Sequence, residues 1–437
     1  MGKKINVIPR FKPVPYTLSD LESKLTQPTL IESHSIQCLP SYAQRKNEEG
    51  QDKIQLSLFT TPDLPHNRRG YKYNTSRPCP YMPSLLYATS DLPPHNVRFS
   101  YFDRSSSMSI TSDLGSAGVP PSSGWKSTRG AWGIREGTWY VEFYIRKGIS
   151  SNTNTNTNTN GSDPHVRVGW ARLEAALEAP VGYDGYGYGL RDKLCEIVHL
   201  SKRSPLGNVD LKEGDVIGLL ITLPSISIQK EISEKEKARN NKSSLNLGII
   251  RDMIPIKYKN CLFFEQYEYT SSTEMEHLLN PVTVFGEHAI PDTQRFQPTK
   301  LPDSSIHVFH NGVKLSGDCT NGAAWENLLA FLPPASEQKE QEKAFARLNG
   351  KLKIENSGTR DDGELGYYPM VSCFNGGVIE INTGKDIWIT PEGVDLDKIK
   401  NYSERYTEKV VEDVVGDIID ECVSCWLDKK EKEFGTA

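Results

Sequence analysis

The sequence predicts a mainly β fold, an antiparallel sandwich followed by one amphipathic C-terminal helix. Three observations carry this. From residue 96 onward, short runs of β-branched and aromatic residues recur, each bounded by Gly, Pro, Asn or Asp. Gly (34) and Pro (27) are frequent among the 437 residues, which favours strands joined by turns. Clear helical periodicity is confined to the C-terminal stretch, so nothing suggests βαβ crossovers.

In chain order, residues 1–95 read as an extended region rich in Pro, Ser and Asn. Within it, 17–25 forms a short helix capped by Ser19 or Asp20. Residues 54–59 alternate like a strand. The proline-punctuated stretch 75–87 is expected to wrap over a partner or over the domain that follows. The sandwich is placed at 96–395, with strand runs at 97–103, 108–114, 138–148, 165–171, 215–224, 260–268, 305–314, 367–374 and 377–384. Asn311-Gly312 supplies the positive φ of a tight hairpin turn. Insertions fall at about 149–164, 225–250 and 333–365. The first, with SNTNTNTNTNGS at 151–162, is too polar to order itself. The charged second reads as a mobile hairpin extension, and the third as a short solvated helix with Ser336 as N-cap. Such additions cost a loop little entropy.

Residues 402–430 hold the clearest helical pattern. Val411, Val414, Val415, Ile418, Ile419, Cys422, Val423 and Trp426 follow the i, i+3, i+4, i+7 rule, with acidic residues opposite. Gly416 weakens the helix relative to Ala, which suggests close approach of another helix. Two readings stand: the stripe packs on its own sandwich, or it is a helix-in-groove ligand following a linker.

Several function classes are disfavoured. A net charge of −5 gives no global nucleic-acid footprint. No run of 18 apolar residues spans a membrane, and the N-terminus lacks a signal-peptide core. Of the eight cysteines only Cys422 and Cys425 form a CxxC, without the second pair a zinc site needs. They read as reduced thiols in an intracellular compartment. GxSxG, HExxH and GxxxxGK[ST] are missing, and the nine histidines do not cluster at metal spacing. No catalytic residue, metal or cofactor is expected.

The most informative segment is 165–191, HVRVGWARLEAALEAPVGYDGYGYGLR. A β-type run gives way to a long loop carrying Pro180, Gly182, Tyr183 and two further tyrosines, with Arg167 and Arg191 at its ends. Aromatics and arginines with glycines between them form a rigid recognition surface rather than a proton-transfer centre. Each arginine could equally serve a surface ion pair within the domain, and Tyr183 could simply pack the loop.

The order R-x-G-W, then A-P-x-G-Y-D, then an Arg resembles the SPRY-domain subunit of COMPASS-type histone methyltransferase complexes, the fungal counterpart of the trithorax-group Ash-two family. Further landmarks are RGAWGIREGTWYVE (129–142), GDVIG (214–218), IPIKYKNCLFFE (254–265) and FHNGV (309–313). The resemblance implies a SPRY-type antiparallel β-sandwich and a nuclear, non-catalytic scaffold of a histone H3 lysine 4 methyltransferase. Its implied partners are a SET-domain subunit, WD-repeat subunits and a Dpy-thirty-type dimer, with the nucleosome as substrate of the complex. The family's site for an acidic segment of the WD-repeat subunit falls on Arg167, Pro180, Tyr183 and Arg191, plus Trp125 where animal members have Tyr. The site for the Dpy-thirty-type dimer falls on Val415, Ile419 and Cys422, with Val411, Val414 and Ile418 filling the stripe; Cys422 is smaller than the usual aliphatic residue. Residues 1–95 show neither the zinc-ligand spacing nor the helical run of the DNA-binding module that animal members carry. The alternative is a stand-alone SPRY recognition adaptor, for example in ubiquitin ligation, although no RING, B-box or SOCS-box signature is present.

Overall fold

The strand Gly137–Lys147 shows how the body is built. Trp139, Val141, Phe143 and Ile145 point into a core shared with Val166, Val168 and Trp170 of the strand His165–Ala171 in the facing sheet. The alternate residues are also covered. Tyr140 packs with Leu220 and Phe309, and the Glu142 carboxylate accepts the backbone N–H groups of Trp388 (2.7 Å) and Ile389 (2.9 Å). Covering both faces is why this segment reads as a continuous apolar run rather than a clean alternation.

The structure, a computed structural model, describes residues 13–22, 28–47, 53–68, 70–150, 163–239, 251, 253–259, 261–267, 278–280, 298–316, 322–330 and 365–435. The expectations for 151–162 and 333–351 fall outside these. The fold is the mainly antiparallel β-sandwich that the strand runs predict. One sheet runs in the order Ile31–Cys38, Ile54–Thr60, Ser109–Ile110, Ser116–Gly118, Val378–Ile381, Gly137–Lys147, Val216–Leu223, Ser305–His310, Val313–Leu315. The other runs Lys202–Pro205, Glu196–His199, Gly187–Arg191, His165–Ala171, Tyr368–Phe374, Lys126–Gly130, Phe99–Arg104. The Asn311-Gly312 turn is present, with φ of 49° and 83°, between paired strands.

The N-terminal region is more structured than its composition suggests. Ile31–Cys38 and Ile54–Thr60 extend the first sheet, and Ile36 and Leu58 pack on Val378. Residues 75–87 do not simply wrap: Tyr71–Pro78 and Tyr87–Thr89 pair with each other and join Met253–Tyr258 and Cys261–Tyr267 in a third sheet. The first helix is Leu18–Glu22, and it starts at Thr17, whose backbone N–H donates to the Asp20 carboxylate (2.9 Å). The hairpin expected after 225 is instead a helix, Ile226–Arg239. That segment is rich in Glu and Lys with no Gly or Pro, so helix propensity prevails. Its start is tied down, since the Ile226 N–H donates to Glu136 (2.9 Å) and the Gln229 amide to the Arg135 carbonyl (2.7 Å).

Candidate protein-interaction surfaces

On His165–Ala171, Val166, Val168 and Trp170 face the core, so His165 and Arg167 face the outside of their sheet. Register places Ser127, Ser372, Arg167 and Arg191 in one row across four strands. Residues 172–186 cross this outer face and are fastened to the row. Ser127 donates from its backbone to the Leu177 carbonyl (2.9 Å) and from its hydroxyl to the Ala179 carbonyl (2.7 Å). The Val181 N–H donates to the Ser372 hydroxyl (2.9 Å). Gly182 has φ +85°, and a Cβ there would sit 2.3 Å from the Val198 carbonyl oxygen, so only glycine lets the loop lie this close to the sheet.

Two of the loop's three tyrosines are not part of the surface. Tyr186 is buried against Arg172, and Tyr188 stacks on His199 at 4.3 Å while its hydroxyl accepts the Leu329 N–H (2.9 Å). Tyr183 alone stays half-buried at the rim, turned by its N–H to the Pro180 carbonyl (3.0 Å). The turn is stiffened by the buried Asp184 carboxylate, which accepts from Ala176 (2.8 Å) and Tyr186 (2.9 Å). Burial raises its pKa to about 6.

Trp125 lies half-buried on Phe374, ring centroids 5.4 Å apart, and the Arg167 guanidinium covers it at 4.8 Å. The arginines of this face differ in what they already hold. Arg129 is paired with Asp103 (2.8 Å), Arg172 with Glu174, and Arg191 with Glu196, which also faces Arg203 at 3.9 Å. Arg167 has no ion pair among the described residues, and its Nε is buried without a hydrogen-bond partner. Burial, then the neighbouring Arg191, lowers its pKa to about 10, so it remains a cation at neutral pH. Trp125, Arg167, Arg191 and the Pro180–Tyr183 turn thus share one face. Sequence reasoning missed Phe374, which carries the tryptophan, and Glu196, which occupies Arg191. Phe374 ends a legible strand run, whereas Glu196 needs the strand register to be known.

The second surface is the helix Arg405–Gly435. It is led in by a capping box at Asn401 and Glu404, and it is inverted relative to an ordinary surface helix. Val411, Val414, Val415, Ile418, Ile419, Val423 and Trp426 are 49–58 % exposed, and Cys422 is exposed too. The face turned to the body is polar. Asp417 accepts from the Thr89 backbone (2.8 Å) and hydroxyl (2.9 Å), and Glu421 accepts the Leu85 N–H (2.8 Å). Upstream, the Tyr402 hydroxyl donates to the Trp132 carbonyl (2.7 Å), and Tyr406 packs edge-on to Trp132. The reading that the stripe packs on its own sandwich is corrected: the helix does pack on its own chain, but through its polar face. Gly416 does not admit a second helix. It faces inward, where a Cβ would lie 2.6 Å from the Arg251 guanidinium carbon.

Among the described residues no three His, Cys, Asp or Glu side chains gather as metal ligands, and no helix is long and apolar enough to cross a membrane. A β-sandwich with an aromatic–arginine platform on one sheet and an outward apolar helix stripe has the chemistry of a protein-recognition module. No family model matches the chain. It is 35 % identical over 363 residues to the COMPASS component cclA of Colletotrichum higginsianum, covering 79 % of this chain and 60 % of the relative. To the Set1 complex component ash2 of Schizosaccharomyces pombe it is 32 % identical over 377 residues, 86 % and 46 % of the two chains. To the COMPASS component BRE2 of Saccharomyces cerevisiae it is 30 % identical over 421 residues, 75 % and 80 %. The chain belongs to this family of COMPASS and Set1 complex components. It spans 54–60 % of the length of the cclA proteins it matches.

Proposed function

We propose that the protein is a nuclear, non-catalytic scaffold subunit of a histone H3 lysine 4 methyltransferase complex of the COMPASS type. The face formed by Trp125, Arg167, Pro180, Tyr183 and Arg191 is its SPRY surface and binds an acidic segment of a WD-repeat subunit. The stripe of Val411, Val414, Val415, Ile418, Ile419 and Cys422 docks into a Dpy-thirty-type dimer. The bound subunits then favour the active arrangement of the SET domain by differential binding, and the nucleosome is the substrate of the assembly.

The observation that carries this reading is the inverted helix. A helix that spends its polar face on its own chain and leaves seven large apolar side chains half-exposed matches a helix-in-groove ligand. Burying what remains of each is worth about 1 kcal/mol or more. The platform supports a second contact: Arg167 is a desolvated cation over an aromatic ring with no carboxylate of its own, the setting in which an incoming carboxylate gains most. Kinship with proteins named as COMPASS and Set1 components supplies the context.

The test is affinity purification of the tagged chain from its own cells with identification of stoichiometric partners. A SET methyltransferase, WD-repeat proteins and a small Dpy-thirty-like subunit are expected. Recovery of a ubiquitin ligase, or of no stable partner, overturns the reading in favour of a stand-alone adaptor.

A further inference from the structure

We propose that Arg251 is the positioning residue that seats the C-terminal helix by its carboxylate face and so holds the apolar stripe outward. Arg251 lies far from the helix in sequence, yet its guanidinium meets three helix carboxylates at once. Its Nη2 donates to Asp417 (2.7 Å), its Nε donates to Asp420 (2.8 Å), and its Nη1 lies 3.9 Å from Asp413. Asp413, Asp417 and Asp420 are spaced i, i+4, i+7 and form one stripe, opposite in character to the apolar one. The contact is secluded: the side chains of Arg251 and Asp417 are 10 % and 7 % exposed.

Gly416 completes the seat. The guanidinium lies across the helix where a side chain at 416 would be, with Nη1 2.7 Å and Cζ 2.6 Å from the position of a Cβ. Asp417 in turn holds Thr89, and Glu421 holds the backbone N–H groups of Ser84 (3.0 Å) and Leu85 (2.8 Å). Arg251 therefore neutralises an acidic face that would otherwise repel itself, and its planar fork suits several carboxylates better than a lysine ammonium would. With the polar face engaged, the stripe has only one direction to point. The helix reaches a partner already folded and oriented, and less ordering entropy is lost on docking.

The consequence for docking rests on the function proposed above; the seat itself does not. Amide hydrogen exchange on the full chain tests it, with Arg251→Ala, Arg251→Lys and Gly416→Leu compared with the unmodified protein. Exchange of Thr89 and Leu85, whose N–H groups end on the helix carboxylates, is expected to rise at least ten-fold in Arg251→Ala. Arg251→Lys should restore part of the protection. Gly416→Leu is the opposed-sign variant: it improves helix propensity but fills the guanidinium's place, so exchange should rise there as well. Unchanged protection of Thr89 in Arg251→Ala, or greater protection in Gly416→Leu, overturns the proposal. Unchanged exchange of the central strand Gly137–Lys147 shows that a variant has folded. Capture of a purified Dpy-thirty-type dimer should weaken several-fold in Arg251→Ala. If the unmodified chain captures no dimer, the docking reading fails, and the seat is judged by exchange alone.

Discussion

Arg167 and Arg191 sit directly opposite each other on neighbouring strands, yet they are not equivalent receptors. Arg167 rests on Trp125 with no ion-paired carboxylate among the described residues, whereas Arg191 is held by Glu196. An acidic segment arriving at this face meets one available cation and one that must first release its own partner. Arg167→Ala should therefore weaken binding of a synthetic acidic peptide about 30-fold, the loss of about 2 kcal/mol expected for a desolvated charge contact. Glu196→Gln should do the reverse and tighten binding roughly five-fold, at a cost of about 1 kcal/mol in stability. Calorimetric titration with urea denaturation checks both, and unchanged or weaker binding in Glu196→Gln would show that Glu196 does not compete. A pH effect arises close by. His199 is stacked on Tyr188, its Nδ1 2.9 Å from the Gly187 carbonyl, and burial pushes its pKa down from 6.5 to about 4. His66 shifts the same way, to about 4, again mainly by burial. Between these values the unfolded chain binds more protons than the folded one. Their contribution to stability is thus full above pH 6.5 and is lost as the pH falls to 4. His199→Phe should flatten the slope of unfolding free energy between pH 6.5 and 4 by up to about 1.4 kcal/mol per pH unit. Urea midpoints at several pH values give that slope directly, and a slope equal to the unmodified protein's would rule His199 out.

At the scale of elements, the C-terminal helix carries the sharpest expectation. Val415 and Ile419 are one turn apart and about half exposed, so they contact little of the body. Replacing both with Asp should leave the thermal midpoint within a few degrees, because surface changes away from packed features move stability by about 0.5 kcal/mol or less. The same pair should abolish capture of a Dpy-thirty-type dimer, since each carboxylate would be buried without a partner. A large drop in midpoint would mean that the stripe packs on its own chain in solution. The stripe was legible in the sequence because periodicity reports which residues share a face. It could not say which face meets the body, because here three aspartates and a distant arginine outcompete the apolar side for that place. The same limit explains Tyr186 and Tyr188. In sequence they match Tyr183, and only the pairing of Tyr188 with Trp170 and the bond from the Arg172 N–H to the Tyr186 carbonyl (2.9 Å) tie their backbone to the sheet that sends them into the interior. The strands around Trp139 and Trp170 were readable because burial dictates their composition. The strand at 31–38 was not, because as an edge strand it is largely exposed and its residues look like those of a loop.

Taken as a whole molecule, the protein keeps its two proposed recognition faces on separate supports. The arginine platform is built on the outer side of the second sheet and fastened by Ser127 and Ser372. The helix is seated on Thr89, Leu85 and Arg251, which belong to or adjoin the third sheet, and on Trp132. Among the described residues, none of the hydrogen bonds that fasten the platform shares a side chain with those that seat the helix. Sites without shared partners behave additively, to within about 0.5 kcal/mol. Arg167→Ala should therefore lower affinity for an acidic peptide while leaving capture of a Dpy-thirty-type dimer within about two-fold, and the paired Asp substitution at Val415 and Ile419 should do the converse. In the triple variant each of the two affinities should fall by its own separate factor. Measured on one preparation, with each ligand titrated in the absence and then the saturating presence of the other, the four affinities form a closed cycle. Equal affinities on opposite sides make the chain a passive bridge that gathers two partners. A ratio above about ten would instead mean that the body transmits a change between the second sheet and the helix seat, making the subunit an allosteric relay. The separation of the two supports favours the bridge.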